Sequence, residues 1–164
     1  MRLKVLGLFL SLAIFSPIST NAKYEAPEAE KCERNVNDTT IEVSYEDAQR
    51  LMKIAFAEGG NQGIDGQRLI MEVVWNRVKS PDYPNTIFGV ISQRSQFTSY
   101  STGRYDRVIP TTETHLALAE FEKNLNSDKN IIGFETTNNS GTLLKYFDYA
   151  YTFRDHDFYV EKQK

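Results

Sequence analysis

From Ser44 onward the chain is patterned first for helices and then for strands. Ala48, Leu51, Met52 and Ala55 fall at i, i+3, i+4 and i+7, one face of a helix. Ser44 in "SYED" is the predicted N-cap, with Asp47 three residues on. Gly59-Gly60 is the predicted stop, as glycine favours the position just past a helix end. Glu58 then sits in or beside the last turn. A second helix is expected from Asp65 as N-cap, with Ile70, Val73, Val74 and Val78 as its buried stripe. Pro81 and Pro84, with Asp82 and Asn85, force a turn. A short helix is expected over 86–92 and a longer one over 112–126, with Leu118, Phe121 and Leu125 inward. The stretch between them, "QRSQFTSYSTGRYD", reads as an aromatic-bearing loop. After Gly133 the period changes. Phe147, Tyr149, Tyr151 and Phe153 alternate as in a strand, and "HDFYV" reads as another. Helices first and a small β element last predict an α+β fold.

The residues before Ser44 are different. Arg2 and Lys4 precede an apolar run from Val5 to Phe15, then small and polar residues follow. That is the layout of a signal peptide, with cleavage expected after Ala22 and secretion to the periplasm or cell envelope. An uncleaved anchor is the alternative, but the run falls short of the ~20 apolar residues a span takes. Residues 23–43 are polar, lack a period and read as a flexible leader, leaving 44–164 as one folded domain.

Composition narrows the chemistry. Loss of Arg2 and Lys4 takes the formal charge from -3 to -5, and no basic cluster marks a nucleic-acid site. Cys32 is the single cysteine, so no internal disulfide forms, and its place in the leader speaks against a nucleophile. The two histidines, His115 and His156, are far apart and no HExxH occurs, so no metal or other cofactor is expected. There is no GxSxG elbow, and "GGNQGIDG" lacks the GK[ST] of a phosphate loop. What remains is acid–base chemistry by carboxylates.

Glu58 is the candidate. The C-terminal end of a helix carries about half a negative charge and disfavours an ionised carboxylate. Burial beside Phe56 would act the same way, and a carboxyl kept protonated suits a general acid. The bland alternative is an exposed glutamate at a helix end, which costs only a few tenths of a kcal/mol. Asp65, Glu72, Asp82 and Asp106 are the candidates for a second acid. Asp65 is better explained as a cap, and Glu72 and Asp82 as solvated surface charges.

The stretch from Ala57 to Phe97 resembles the cell wall hydrolase family of the spore cortex-lytic enzyme SleB. The resemblance rests on Ala57-Glu58, Gly66-Gln67, Val74, Asn76-Arg77-Val78, Pro84, Thr86-Ile87, Gly89-Val90-Ile91 and Gln96-Phe97. "DHDFY" at 155–159 resembles the family's GNHVFY-like closing segment. The resemblance implies a mainly helical, lysozyme-like catalytic domain that cleaves peptidoglycan glycan strands, with Glu58 as the acid. Two departures stand out. Gln62 occupies a position where the family often has a second glutamate, and "FRDH" replaces a glycine-containing approach to the last histidine.

The expected reaction is lytic transglycosylation between N-acetylmuramic acid and N-acetylglucosamine, with Glu58 as sole acid and base. Hydrolytic muramidase action, N-acetylmuramoyl-L-alanine amidase action and non-catalytic peptidoglycan binding are the alternatives. Gln62, Gln96, Phe97, His156 and Tyr159 are the candidate substrate-binding residues. Phe97 either stacks on a sugar or packs onto the core. Asn76, Arg77 and Gln67 are candidate supports. Asn76 is expected to hold the Glu58 turn and Arg77 to pair with a carboxylate, with a structural polar network as the alternative. The expected partners are glycan strands and a targeting protein, for a monomer off the membrane once the signal is cleaved.

Overall fold

The computed structural model describes residues 43–125, 130–139 and 141–162. The predicted signal segment, Cys32 and the leader up to residue 42 lie outside the described residues.

Helix α1 (Tyr45–Gly59) opens as its sequence predicts: the Ser44 side chain accepts from the Asp47 N–H at 3.2 Å. Arg50 bridges Glu46 and Asp47 in the first turn at 3.1 and 2.8 Å. Leu51, Met52, Ile54 and Ala55 form the buried face. The stop differs from expectation. Gly60 has ordinary right-handed torsions (φ -58°), and the left-handed glycine is Gly63, at φ +69°. The need at Gly59 is for space: a Cβ there would lie 2.4 Å from Ile70 Cδ1. Glycine therefore lets α1 close onto the next helix.

That helix, α2 (Gly63–Lys79), starts two residues before Asp65, which is a first-turn acid 3.7 Å from Arg68 and not the cap. The N-cap is Gln62, which makes no side-chain cap bond because its amide is committed elsewhere. Nearly every residue from Gly66 to Arg77 is buried, as befits a central helix packed on several sides. Glu72, expected at the surface, is 3% exposed and pairs with Arg68 one turn away. Pairing is the condition for burying such a charge.

Helix α3 (Ile87–Ser92) is capped by Thr86, whose side chain accepts from Gly89 N–H at 3.0 Å. The expected loop contains two single-turn helices, α4 (Thr98–Ser101) and α5 (Arg104–Arg107). Helix α6 (Thr112–Lys123) begins with a Thr111–Thr114 capping box and ends three residues earlier than expected. Phe121 meets Trp75 edge-on at 6.2 Å, joining α6 to α2.

Three strands follow: β1 (Ile131–Thr136), β2 (Phe147–Phe153) and β3 (His156–Glu161). They form an antiparallel sheet in the order β1-β3-β2. The α+β architecture is as predicted, but β1 was not. A register shift between Tyr149 and Tyr151 breaks the simple alternation of β2. Tyr151 and Phe153 pack with Leu69, Val73 and Phe158, whereas Tyr149 is half exposed. The central strand β3 thereby carries His156 to the edge of the helical layer, opposite Thr136 and Phe153 in register.

Candidate active site

Glu58 is the penultimate residue of α1 and faces a cavity of about 320 Å³. The α1–α2 turn contributes Asn61 and Gln62 to its lining, the end of β1 Thr136 to Asn138, and the β2–β3 turn Asp155 and His156. Glu58 Oε1 accepts from the Ser99 backbone N–H at 3.0 Å. Among the described residues Oε2 has no hydrogen-bond partner. One oxygen is thus fixed and the other is left for a ligand.

The far wall is anchored by Asp155. Gln62 Nε2 donates to Asp155 Oδ2 at 3.1 Å, and Asp155 N–H donates back to Gln62 Oε1 at 3.2 Å. The connecting hairpin is a two-residue turn with Arg154 at φ 48°. His156 is 3% exposed, packs edge-on to Phe134 at 5.1 Å, and its Nδ1 is buried without a partner. Burial pulls its pKa below the ordinary histidine value, opposed by the charges of Glu58, Asp155 and Asp157. The imidazole is therefore neutral near pH 7, a hydrogen-bonding wall beside the acid.

Amides, hydroxyls, one imidazole and two carboxylates around a site of this size suit a polyhydroxylated, acetamido-bearing ligand. A larger recess of about 650 Å³, lined by Asn76, Lys79, Ser80, Tyr151 and Glu161 among others, does not reach Glu58. Among the described residues no three His, Cys, Asp or Glu side chains converge on a metal position.

The family described as Cell Wall Hydrolase matches residues 61–159, which is more than half of the chain. The chain belongs to the cell wall hydrolase family. The matched segment begins three residues after Glu58 and contains every other residue lining the cavity. A spore cortex-lytic enzyme of Halalkalibacterium halodurans is 30% identical over 83 residues, 49% of this chain. That match spans a quarter of the relative's length. Two solved structures share the fold. One is the catalytic domain of the germination-specific lytic transglycosylase SleB of Bacillus anthracis (TM-score 0.61, 21% identity, 71% of this chain and 95% of that one). The other is the catalytic domain of Bacillus cereus SleB (TM-score 0.63, 21% identity, 74% and 97%).

Within this family member the expected site residues separate into two groups. Glu58, Gln62 and His156 share the cavity. Gln62 nevertheless spends both ends of its amide on Asp155. The others lie elsewhere. Phe97 is 2% exposed and packed in the core, so it offers no face to a sugar. Gln96 accepts from Arg77 Nη1 at 3.1 Å. Tyr159 is fully buried and donates its hydroxyl to Glu135.

The supports also differ from expectation. Asn76 Nδ2 donates to Ile131 O at 2.9 Å, tying α2 to β1. It lies 13 residues beyond the start of α2, roughly 20 Å along the helix at 1.5 Å per residue, too far to hold the Glu58 turn. Arg77 has no ion pair with a carboxylate among the described residues. Its Nε donates to Ile132 O at 2.7 Å, and its guanidinium stacks at 5.1 Å from Tyr83 and 5.3 Å from Phe97. Burial lowers its pKa, opposed by Tyr83. Gln67 is fully buried, and neither end of its amide has a partner among the described residues.

Asn61, Ser99, Thr136, Thr137, Asn138 and Asp155 were absent from the sequence reading of the site. Ser99 and Thr137 make their site hydrogen bonds through the backbone, which carries no side-chain signature. None of the four acids proposed as a second carboxylate lines the cavity; Asp155 does.

Proposed function

We propose that this family member is a secreted peptidoglycan lytic transglycosylase in which Glu58 is the acid and then the base. The observation that carries the reading is the placement of Glu58. It stands at a helix end, with one oxygen held by Ser99 N–H, on the wall of a polar cavity. The fold shared with a lytic transglycosylase domain supports it.

In this reading the Glu58 proton passes to the glycosidic oxygen as the bond from the muramoyl C1 breaks. The acetamido oxygen of the same sugar supports the positive charge growing at C1. The C6 hydroxyl then bonds to C1, and its proton returns to Glu58. The product is a 1,6-anhydro muramoyl end, and water is not consumed. A general acid of this kind contributes about 10²–10⁴-fold in rate. The signal-like segment at residues 1–22 would deliver the domain to its polymeric substrate outside the inner membrane.

Digestion of purified sacculi, with mass spectrometry of the soluble fragments, is the test. Wild type should release muropeptides one water lighter than hydrolytic products. Glu58→Gln retains an acceptor for Ser99 N–H and should fold normally, but release nothing. Products with reducing muramic ends would replace transglycosylation by hydrolysis. Undiminished release by Glu58→Gln would remove Glu58 from the mechanism.

A further inference from the structure

Asp155 makes more connections than a turn residue requires. Its Oδ2 accepts from Gln62 Nε2 at 3.1 Å and from Asn61 Nδ2 at 3.3 Å. Its N–H donates to Gln62 Oε1 at 3.2 Å, and its carbonyl accepts from Thr137 N–H at 2.9 Å. One residue therefore ties together three walls of the cavity that holds Glu58: the α1–α2 turn, the β2–β3 turn and the segment after β1.

Holding walls together does not need a charge, since an asparagine oxygen would accept from Gln62 and Asn61 equally well. Both side-chain donors fall on Oδ2. Among the described residues Oδ1 has no hydrogen-bond partner, and no lysine or arginine forms an ion pair with Asp155. The adjacent His156 also lines the cavity, nine-tenths and more buried, with Nδ1 unpartnered. Two polar groups among the residues lining the cavity are thus without protein partners among the described residues, as is Oε2 of Glu58.

We propose that Asp155 is the second carboxylate of this site. Its Oδ1 accepts a hydrogen bond from the acetamido N–H of the sugar whose glycosidic oxygen Glu58 protonates. The proposal rests on the reading of Glu58 given above. When the C1–O bond breaks, its electron pair goes to the leaving oxygen, which takes the Glu58 proton. The acetamido oxygen bonds to C1, and positive charge spreads onto the acetamido group. Its N–H becomes a stronger donor, so a carboxylate beside it binds the transition state more tightly than the ground state. Attack of the C6 hydroxyl on C1 releases the acetamido oxygen, and the proton goes to Glu58. Asp155 neither gains nor loses a proton. The carboxylate missing at Gln62 is in effect supplied from the other side of its hydrogen bond.

The polarity of that bond gives the test. In Asp155→Asn, Gln62 and Asn61 still donate, so the new amide must turn its oxygen toward them and its NH₂ toward the substrate N–H. The double variant Gln62→Glu/Asp155→Asn reverses the bond. The amide then donates to the new carboxylate, Asn61 turns its own amide to present Oδ1 to it, and the oxygen of the amide at position 155 faces the substrate again. On purified sacculi, Asp155→Asn should keep the wild-type Tm and lose about 100-fold in kcat, with a smaller rise in KM. The double variant should recover to within about tenfold of wild type. A role in wall-holding alone predicts no such recovery, because both variants keep the bond. A folded Asp155→Asn that cleaves at the wild-type rate overturns the proposal. If that variant does not fold, the double variant decides: folded and active supports the proposal, folded and inactive ends it. Failure here is separable from failure of the underlying reading, which would appear as wild type releasing no anhydro fragments or as an active Glu58→Gln.

Discussion

Ser99 and Glu58, 41 residues apart in sequence, are joined by a 3.0 Å hydrogen bond from the Ser99 backbone N–H to Glu58 Oε1. The donor belongs to the first turn of α4, where backbone N–H groups lack helical partners. The bond fixes the carboxyl plane without using a side chain. The segment around Gln96 and Phe97 therefore matters to the site through its backbone path, while the Phe97 ring sits in the core.

Glu58→Asp tests how strictly that geometry matters. Aspartate keeps an acid but withdraws it by one methylene, more than 1 Å, and a misplacement of about that size costs on the order of 10²-fold. The same retreat stretches the bond to Ser99. The expected result is a folded protein with kcat down by roughly two orders of magnitude. Measured release of soluble fragments within a few-fold of wild type would show that the carboxyl is not tightly placed.

Arg77 gives a contrasting case, a buried charge whose work is structural. Lysine cannot reproduce a fork that donates to Ile132 O at 2.7 Å and Gln96 Oε1 at 3.1 Å while lying between two rings. Arg77→Lys leaves the Ile132 carbonyl without its donor, at a cost of about 1–3 kcal/mol. For a domain of this size Tm should fall by roughly 3–12 °C. KM on sacculi should not change, because Arg77 does not line the cavity. A calorimetric Tm equal to wild type would contradict the structural assignment.

The helices were legible because each carries several independent signals. Ser44 caps where its position predicts, the short helix expected over 86–92 forms from Ile87 with Thr86 as its cap, and the Leu51–Ala55 face is buried as its period requires. Strand β1 was not legible: "IIGFET" is short, interrupted by Gly133, and the residues it pairs with in β3 lie 20 or more positions away. The single turns α4 and α5 are too short to show a period. Glu58 stood out because it breaks a local rule at a helix end. Asp155 could not, because its importance arises from Gln62, 93 residues distant. Phe97 was left open between sugar and core, and Tyr159 was placed at the cleft, because a ring that meets a sugar and a ring that fills a core have the same sequence appearance.

His156 should leave a trace in stability against pH. Burial lowers its folded-state pKa, while Glu58, Asp155 and Asp157 pull the other way without reversing the shift. Between the folded pKa and the unfolded value of about 6.5, the unfolded chain binds the extra proton. Stability is therefore full above about pH 6.5 and declines as pH falls toward the folded pKa. His156→Phe, set among Phe134 and Phe158, removes that dependence. Thermal melts between pH 7.5 and 5.5 should converge toward a flat line for the variant and slope downward on acidification for wild type. Parallel slopes for the two proteins would assign the dependence to another group.

Tyr159 separates a wall of the cleft from a brace behind it. Its hydroxyl donates to Glu135, which also accepts from Gly141 N–H at 2.7 Å and from the Thr142 hydroxyl. Burial acts to raise the Glu135 pKa, but hydrogen bonds from Thr142, Tyr159, Gly141 and Leu143 outweigh it and hold the carboxyl below its ordinary value. This cluster ties residues 141 and 142 back to β1, close to Thr136, Thr137 and Asn138 on the cavity wall. Tyr159→Phe deletes the hydrogen bond to the charged Glu135, worth about 1.5–3 kcal/mol, together with the long 3.4 Å one accepted from Gly141 N–H, and leaves the ring packed. It should lower Tm by several degrees without altering KM for sacculi. Because a depressed carboxyl pKa stabilises the fold above the unfolded value and is lost on acidification, the difference between variant and wild type should shrink as pH falls through the folded Glu135 pKa. A variant with unchanged Tm and a raised KM would instead make Tyr159 a substrate contact.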